Sequence, residues 1–181
     1  MDPSNKDRAR VVRGVAVVLG INEIASAVAV KLFSEGYGVV MCHDPALPVI
    51  RRGMAFHDAL YGDLCLIDGV AAMNVDKASE ARAATEANER IAVTRLGLPE
   101  IIVMGPMDAL IDARMLKHGV KPDLRHLAKV TVGLGPGFVV AENCDVAVET
   151  KPARAGEVLD FGRTEKADGI SRKLGGVGGE R

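Results

Sequence analysis

Residues 15–44 read VAVVLGINEIASAVAVKLFSEGYGVVMCHD: an apolar run turning at Gly20, a helix-patterned stretch, and a second apolar run closing on Asp44. In the dinucleotide turn G-x-G-x-x-G, the first glycine makes the bend and the second admits the pyrophosphate to the backbone. The third lets helix and strand pack closely. Here the pattern is G-x-N-x-x-A. Gly20 and Ala25 suit the first and third roles, whereas Asn22 puts a side chain where the phosphate would stand. Glu23 suits the helix dipole but repels an anion. Asp44, 24 residues after Gly20, has the spacing of a ribose-binding acid. Two readings stay open: a turn that only makes the fold, and a nucleotide site using Gly20, Asn22 and Asp44.

A second glycine loop, GLGPGF, places Gly133, Gly135 and Gly137 after an apolar run. Consecutive backbone N–H groups there would form an anion nest, stiffened by the proline. The plainer reading is a tight connection whose glycines take positive φ. The loop lacks the Gly-Lys-Ser/Thr ending of a P-loop. Arg51 and Arg52 form an adjacent pair able to clamp a phosphate or carboxylate, against the reading of a solvated surface pair. Cys144, in ENCDVAVET, is the candidate thiol for carrying sulfur or selenium or contacting a metal cofactor; the alternative is a small buried hydrophobe. The four histidines are scattered without metal-ligand spacing, and no Ser-His-Asp order or nucleophile elbow stands out. Asp112 and Arg114 read as a local pair.

The elements that must position these residues follow from periodicity and punctuation. A strand is expected over 11–19, a helix up to Gly36 and a strand over 37–42. Residues 50–63 hold one or two helical turns. LCLIDGVAAMNV reads as a hairpin turning at Asp68-Gly69. The Ala-rich run from Asp76 reads as one helix ending at Gly97, with Glu86 and Arg90 paired at i,i+4. IIVMG at 101–105 reads as a strand, DALIDARMLKHG as either strand-plus-turn or helix, and KVTVGL and CDVAVET as strands. The alternation predicts an α/β, Rossmann-like fold with a mostly parallel sheet flanked by helices. A single such domain is expected over 1–150. Residues 151–181, polar and glycine-rich, read as a tail or the stub of a second domain.

Composition narrows the function classes. With 181 residues, 48% hydrophobic, the chain can bury a full core. A net charge of −1, 3% aromatics and no tryptophan argue against a nucleic-acid partner. Three cysteines without C-x-x-C spacing suggest reduced thiols and no structural zinc. The charged N-terminus is not a signal peptide, and the apolar runs are too short to span a bilayer. A soluble, cytoplasmic protein is therefore expected; a sheet edge or helix face would support a homo-oligomer.

Taken together, RRGMAFHDALYGD, LIDARMLK, VGLGPGFVVAENCDVAVET and the closing GGVGGER resemble the accessory proteins of selenium-dependent molybdenum hydroxylase systems, of the xanthine-dehydrogenase type. The resemblance covers about 13–181. Where that family shows G-x-G-D-L-A-T-G, this chain has Asn22, Glu23, Ile24, Ala25, Ser26 and Ala27, a departure centred where a phosphate would approach. Family members continue beyond the point matching Arg181, which implies a short relative or a piece of a longer chain. The resemblance implies a maturation factor with a molybdenum hydroxylase as client. The molybdenum cofactor or a nucleotide would be its ligand, held at its phosphate by Gly133–Gly137 and Arg51/Arg52, with Cys144 handling sulfur or selenium. The alternatives are an NAD(P)-dependent oxidoreductase using Gly20 and Asp44, and an interaction module with an eroded site.

Overall fold

A computed structural model describes residues 12–167. Nine strands form one sheet in the order β3-β4-β5-β2-β1-β6-β7-β8-β9. They are β1 Val15–Leu19, β2 Gly38–Cys42, β3 Cys65–Ile67, β4 Val70–Asn74, β5 Ile91–Thr94, β6 Ala109–Asp112, β7 Val130–Leu134, β8 Val146–Val148 and β9 Val158–Leu159. Strands β4 to β8 in that order pair in parallel, and β3 and β9 close the two edges antiparallel. The helices are α1 Glu23–Ser34, α2 Ala78–Ala87 and α3 Leu98–Ile102, with two 3-10 turns at Arg52–Met54 and Phe56–Tyr61. This is the expected α/β, Rossmann-like architecture.

Central strands buried on both faces explain their unbroken Val/Ile/Leu runs. Along β1, Ala16 and Val18 pack with Ala25, Ala29 and Phe33 of α1, while Val15, Val17 and Leu19 pack on the opposite layer with Ala81 of α2 and Ile101 of α3. The hairpin between β3 and β4 turns on Asp68 and Gly69, both at positive φ, as primed turns require. Among the described residues, no helix is long and apolar enough to cross a membrane.

Three expectations are corrected. The Ala-rich run is not one helix to Gly97. Asn88 takes a left-handed conformation (φ 49°) and ends α2, and Ile91–Thr94 is the fully buried strand β5. Arg90 therefore leaves the helix, and Glu86 pairs with Arg82 at 2.6 Å instead. The strand expected over 101–105 is not formed: Leu98–Ile102 is helix α3, with Pro99 in its first turn, where its missing N–H costs nothing. The segment beyond Lys151 is not a tail as far as it is described. Strand β9 pairs with β8, and Thr164 is buried. The closing GGVGGER and most of the basic N-terminal lead-in lie outside the described residues.

Candidate functional site

Chain direction decides where a ligand can enter this sheet. From β1 the chain passes through α1 to β2 on one side, and it later returns through α3 to β6 on the other. The carboxyl ends of β1, β2 and β6 therefore frame a crevice, the usual ligand position in an open α/β sheet. On the α1 side it is a 340 Å³ cleft lined by Gly20, Asn22, Glu23, His43, Asp44, Arg114 and Lys117, with apolar walls at Ile21, Leu47, Pro48 and Val49. On the α3 side lies a 370 Å³ chamber bounded by Leu19, Pro45, Leu98, Pro99, Pro122 and Leu124. His43, Asp44 and Arg114 line both, so they stand between the two spaces.

The first turn brings Gly20, Asn22 and Asp44 together, but not as a dinucleotide cradle. Gly20 takes φ +108°, and an added Cβ there would meet the Ala113 carbonyl at 3.2 Å. The Asn22 side chain caps α1: its Oδ1 accepts from the Ile24 and Ala25 N–H groups at 3.0 and 2.9 Å. Its Nδ2 donates to the Ala113 carbonyl at 2.8 Å, tying the helix start to the end of β6. Two donors that a phosphate would use are thus satisfied by the protein itself. Asp44 is also engaged. Its Oδ1 accepts from the Ala46 N–H at 3.0 Å, and its Oδ2 lies 3.6 Å from Arg114.

Arg114 is the residue the sequence reading missed as a site group. Asp112, 0% exposed at the end of β6, accepts from Nε at 3.0 Å, from Nη2 at 2.7 Å and from the Arg114 backbone N–H at 3.2 Å. This fork-to-fork grip fixes the guanidinium plane. The expectation that Asp112 and Arg114 pair is met, but the pairing holds the arginine across the crevice rather than disposing of its charge. The signal was present as a charged pair two residues apart. What was lacking was the knowledge that residues 109–112 form the strand beside β1.

The adjacent arginines do not act as one clamp. Arg51 pairs with Glu23 at 3.4 Å, and Arg52 pairs with Asp58 at 2.7 Å. Each charge has its own carboxylate, and two divergent partners pull the side chains apart. Beside them, His43 and His57 sit edge to face at 5.7 Å, His57 lies 5.5 Å from Tyr61, and Arg95 stacks 4.8 Å from the Tyr61 ring. Desolvation first, then the neighbouring His57 and Arg95 charges, hold His43 below the ordinary histidine value, against the opposing pull of Asp44.

The second glycine loop lies at the same end of the sheet, next to Met115 and Lys121, but it is not an anion nest. The Gly135 N–H donates to the Val148 carbonyl at 3.1 Å and the Phe138 N–H to Thr164 Oγ1 at 3.0 Å, while Pro136 has no N–H. No run of consecutive free donors remains. Gly133 belongs to β7, where an added Cβ would stand 2.1 Å from the Phe138 ring. Gly135 and Gly137 take φ +96° and +87° to complete the turn. Gly133 thus leaves the space that seats Phe138, which is 1% exposed.

Cys144 is likewise corrected. It is 1% exposed, packs with Phe138 and Ala147, and its Sγ donates to the Val139 carbonyl at 3.8 Å. Burial pushes its thiol up to about 11, away from thiolate chemistry at neutral pH.

No family model and no solved structure matches this chain. It is similar to the uncharacterized protein YqeB of Escherichia coli (strain K12), with 28% identity over 174 residues. That alignment covers 90% of this chain but 30% of YqeB, so the chain spans less than a third of that relative's length.

Proposed function

We propose that this chain is a cytoplasmic accessory factor in the maturation of a molybdenum hydroxylase of the xanthine-dehydrogenase type, holding a phosphate-bearing ligand rather than acting as a stand-alone catalyst. The observation that carries the binding part is Arg114, fixed by a fully buried Asp112 across a crevice at the carboxyl ends of β1, β2 and β6. The resemblance carried by RRGMAFHDALYGD, LIDARMLK and VGLGPGFVVAENCDVAVET supplies the hydroxylase context.

As cargo, the molybdenum cofactor offers a pterin ring and a phosphate. The chain's residues fit those two features: Arg114 and Lys117 are the cations, and the leucine- and proline-lined chamber is the apolar wall. Its thiols do not fit sulfur or selenium handling. Cys144 is sealed in the core, and Cys42, at the chamber wall, is pushed up to about 12, chiefly by burial. Cys65, though partly exposed, sits on edge strand β3 and lines neither the cleft nor the chamber. The function proposed is therefore binding and presentation to the client, with the sulfur chemistry assigned elsewhere.

Deleting the gene in a host that makes such a hydroxylase tests this. Xanthine oxidation and the molybdenum content of the purified hydroxylase should both fall several-fold. The wild-type chain should restore them and Arg114→Lys should not. Full activity and molybdenum content in the deletion strain would remove the proposal.

A further inference from the structure

The crevice holds its charges in balance. Among the residues that line or brace it, Asp44, Asp112 and Glu23 face Arg114, Lys117 and Arg51. An anion that engages Arg114 must compete with the carboxylates already there, and the three carboxylates differ in how firmly they are held. Asp112 is 0% exposed and gripped by three donors from Arg114; pulling it away would strand a buried charge. Glu23 pairs with Arg51 at the rim. Asp44 reaches Arg114 only at 3.6 Å, its side chain is 21% exposed, and its other oxygen stays anchored on the Ala46 N–H. Of the two carboxylates on Arg114, Asp44 is the one that can yield.

We infer that Arg114 is the anion anchor of this crevice and that Asp44 is a built-in stand-in for the ligand's phosphate, displaced when a phosphate monoester bearing a flat ring enters. This rests on the crevice being the ligand site of the function proposed above. The ligand class follows from the walls. Asp112 takes Nε and one Nη2 hydrogen, so Nη1, which Asp44 Oδ2 faces at 3.6 Å, and the remaining Nη2 hydrogen are what an oxyanion gains when Asp44 yields. Lys117 is exposed, lines the same cleft and has no ion-pair partner among the described residues. Beyond Arg114, Leu98, Pro99, Pro122 and Leu124 bound a chamber suited to a ring rather than to a second charge. Asp44 thus has the sequence position of a ribose-binding acid and the opposite role. Its oxygens are spent on Ala46 and Arg114, so it competes with the ligand instead of receiving it.

The two roles give opposite signs. Isothermal titration of the full chain at low ionic strength, with AMP and with inorganic phosphate as probes, should show AMP binding the more tightly. Asp44→Asn should tighten AMP about fivefold, the factor expected when a partly exposed competing ion pair is removed. Lys117→Ala should weaken both probes, and Arg114→Lys should weaken AMP at least about tenfold by losing the bidentate fork. Arg114→Lys leaves Asp112 poorly paired and can unfold the chain, so Asp44→Asn, which keeps the Asp112–Arg114 grip, carries the decision. Weaker AMP binding by Asp44→Asn would make Asp44 a ribose acid and overturn the inference, as would a wild-type chain that binds neither probe. AMP binding in the expected order by a chain whose deletion leaves hydroxylase maturation intact would remove the functional reading alone.

Discussion

Whether a cysteine can do chemistry is settled by its solvation, and the three thiols here separate on that basis. Cys42 and Cys144 are buried, with burial pushing them up to about 12 and about 11; Cys65 is partly exposed on edge strand β3. At pH 8 a thiol near 11 is thiolate in only about one molecule in a thousand. Iodoacetamide on the native protein should therefore label Cys65 first, with Cys42 and Cys144 reacting only after denaturation, as read by peptide mass spectrometry. Native labelling of Cys144 at the rate of Cys65 would contradict its sealed position behind Phe138. The same reasoning separates Asn22 from the glycine it replaces. Glycine leaves the first N–H groups of α1 open to a ligand, whereas Asn22 consumes two of them and adds a bond to β6.

Among elements, the corner joining β8 to β9 depends on one buried acid. Glu149 is 2% exposed and accepts from the backbone N–H groups of Thr150, Lys151 and Glu165 at 2.7–2.8 Å. Burial alone would push its carboxyl up, but the three backbone donors outweigh it and hold the group below its ordinary value. Lys151 and Arg154 pair with Glu165 across the same corner. Glu149→Ala would strand three donors, at a cost of about 3 kcal/mol or more. Its urea midpoint should fall at pH 7. A folded-state value held low stabilises above the ordinary carboxylate range, and that contribution is lost as pH falls through the folded value. The gap between wild type and variant should therefore narrow in acid. This buried contact braces the corner from which Val158–Leu159 returns to pair with β8, a role that the polar composition of the segment does not reveal.

At the scale of the whole molecule, the histidine cluster links the end of β2 to the Phe56–Tyr61 turn and, through Arg95, to the end of β5. His43 is held below 6.5 by desolvation and by His57 and Arg95, with Asp44 pulling the other way. The unfolded chain then binds a proton that the folded chain refuses between the two values. Stability should fall as pH drops through 6.5 toward the lowered value, and level off below it. Thermal melts from pH 7.5 to 5 should show that slope, with His43→Gln flattening it and Asp44→Asn deepening it. A wild-type profile with no slope over this window would contradict the placement of His43.

The sequence by itself determined the fold class, because strands buried on both faces must be written as continuous apolar runs and a helix between them needs one apolar face. It also determined the two turns at Gly20 and Asp68-Gly69, whose backbone geometry selects residue type locally. Asn22 was legible as an obstacle to phosphate for the same local reason. Tertiary structure alone decided the rest. It split the Ala-rich run at Asn88 because Ile91–Thr94 gains more by pairing between β4 and β2 than by extending a helix. It sealed Cys144, turned Gly133 into a seat for Phe138, and sent Arg51 and Arg52 to separate carboxylates. It also placed β6 beside β1, which brings Arg114 against Asp44 across 70 residues of chain. Strand order is a long-range property, and no local pattern encodes which charged pair will face the crevice.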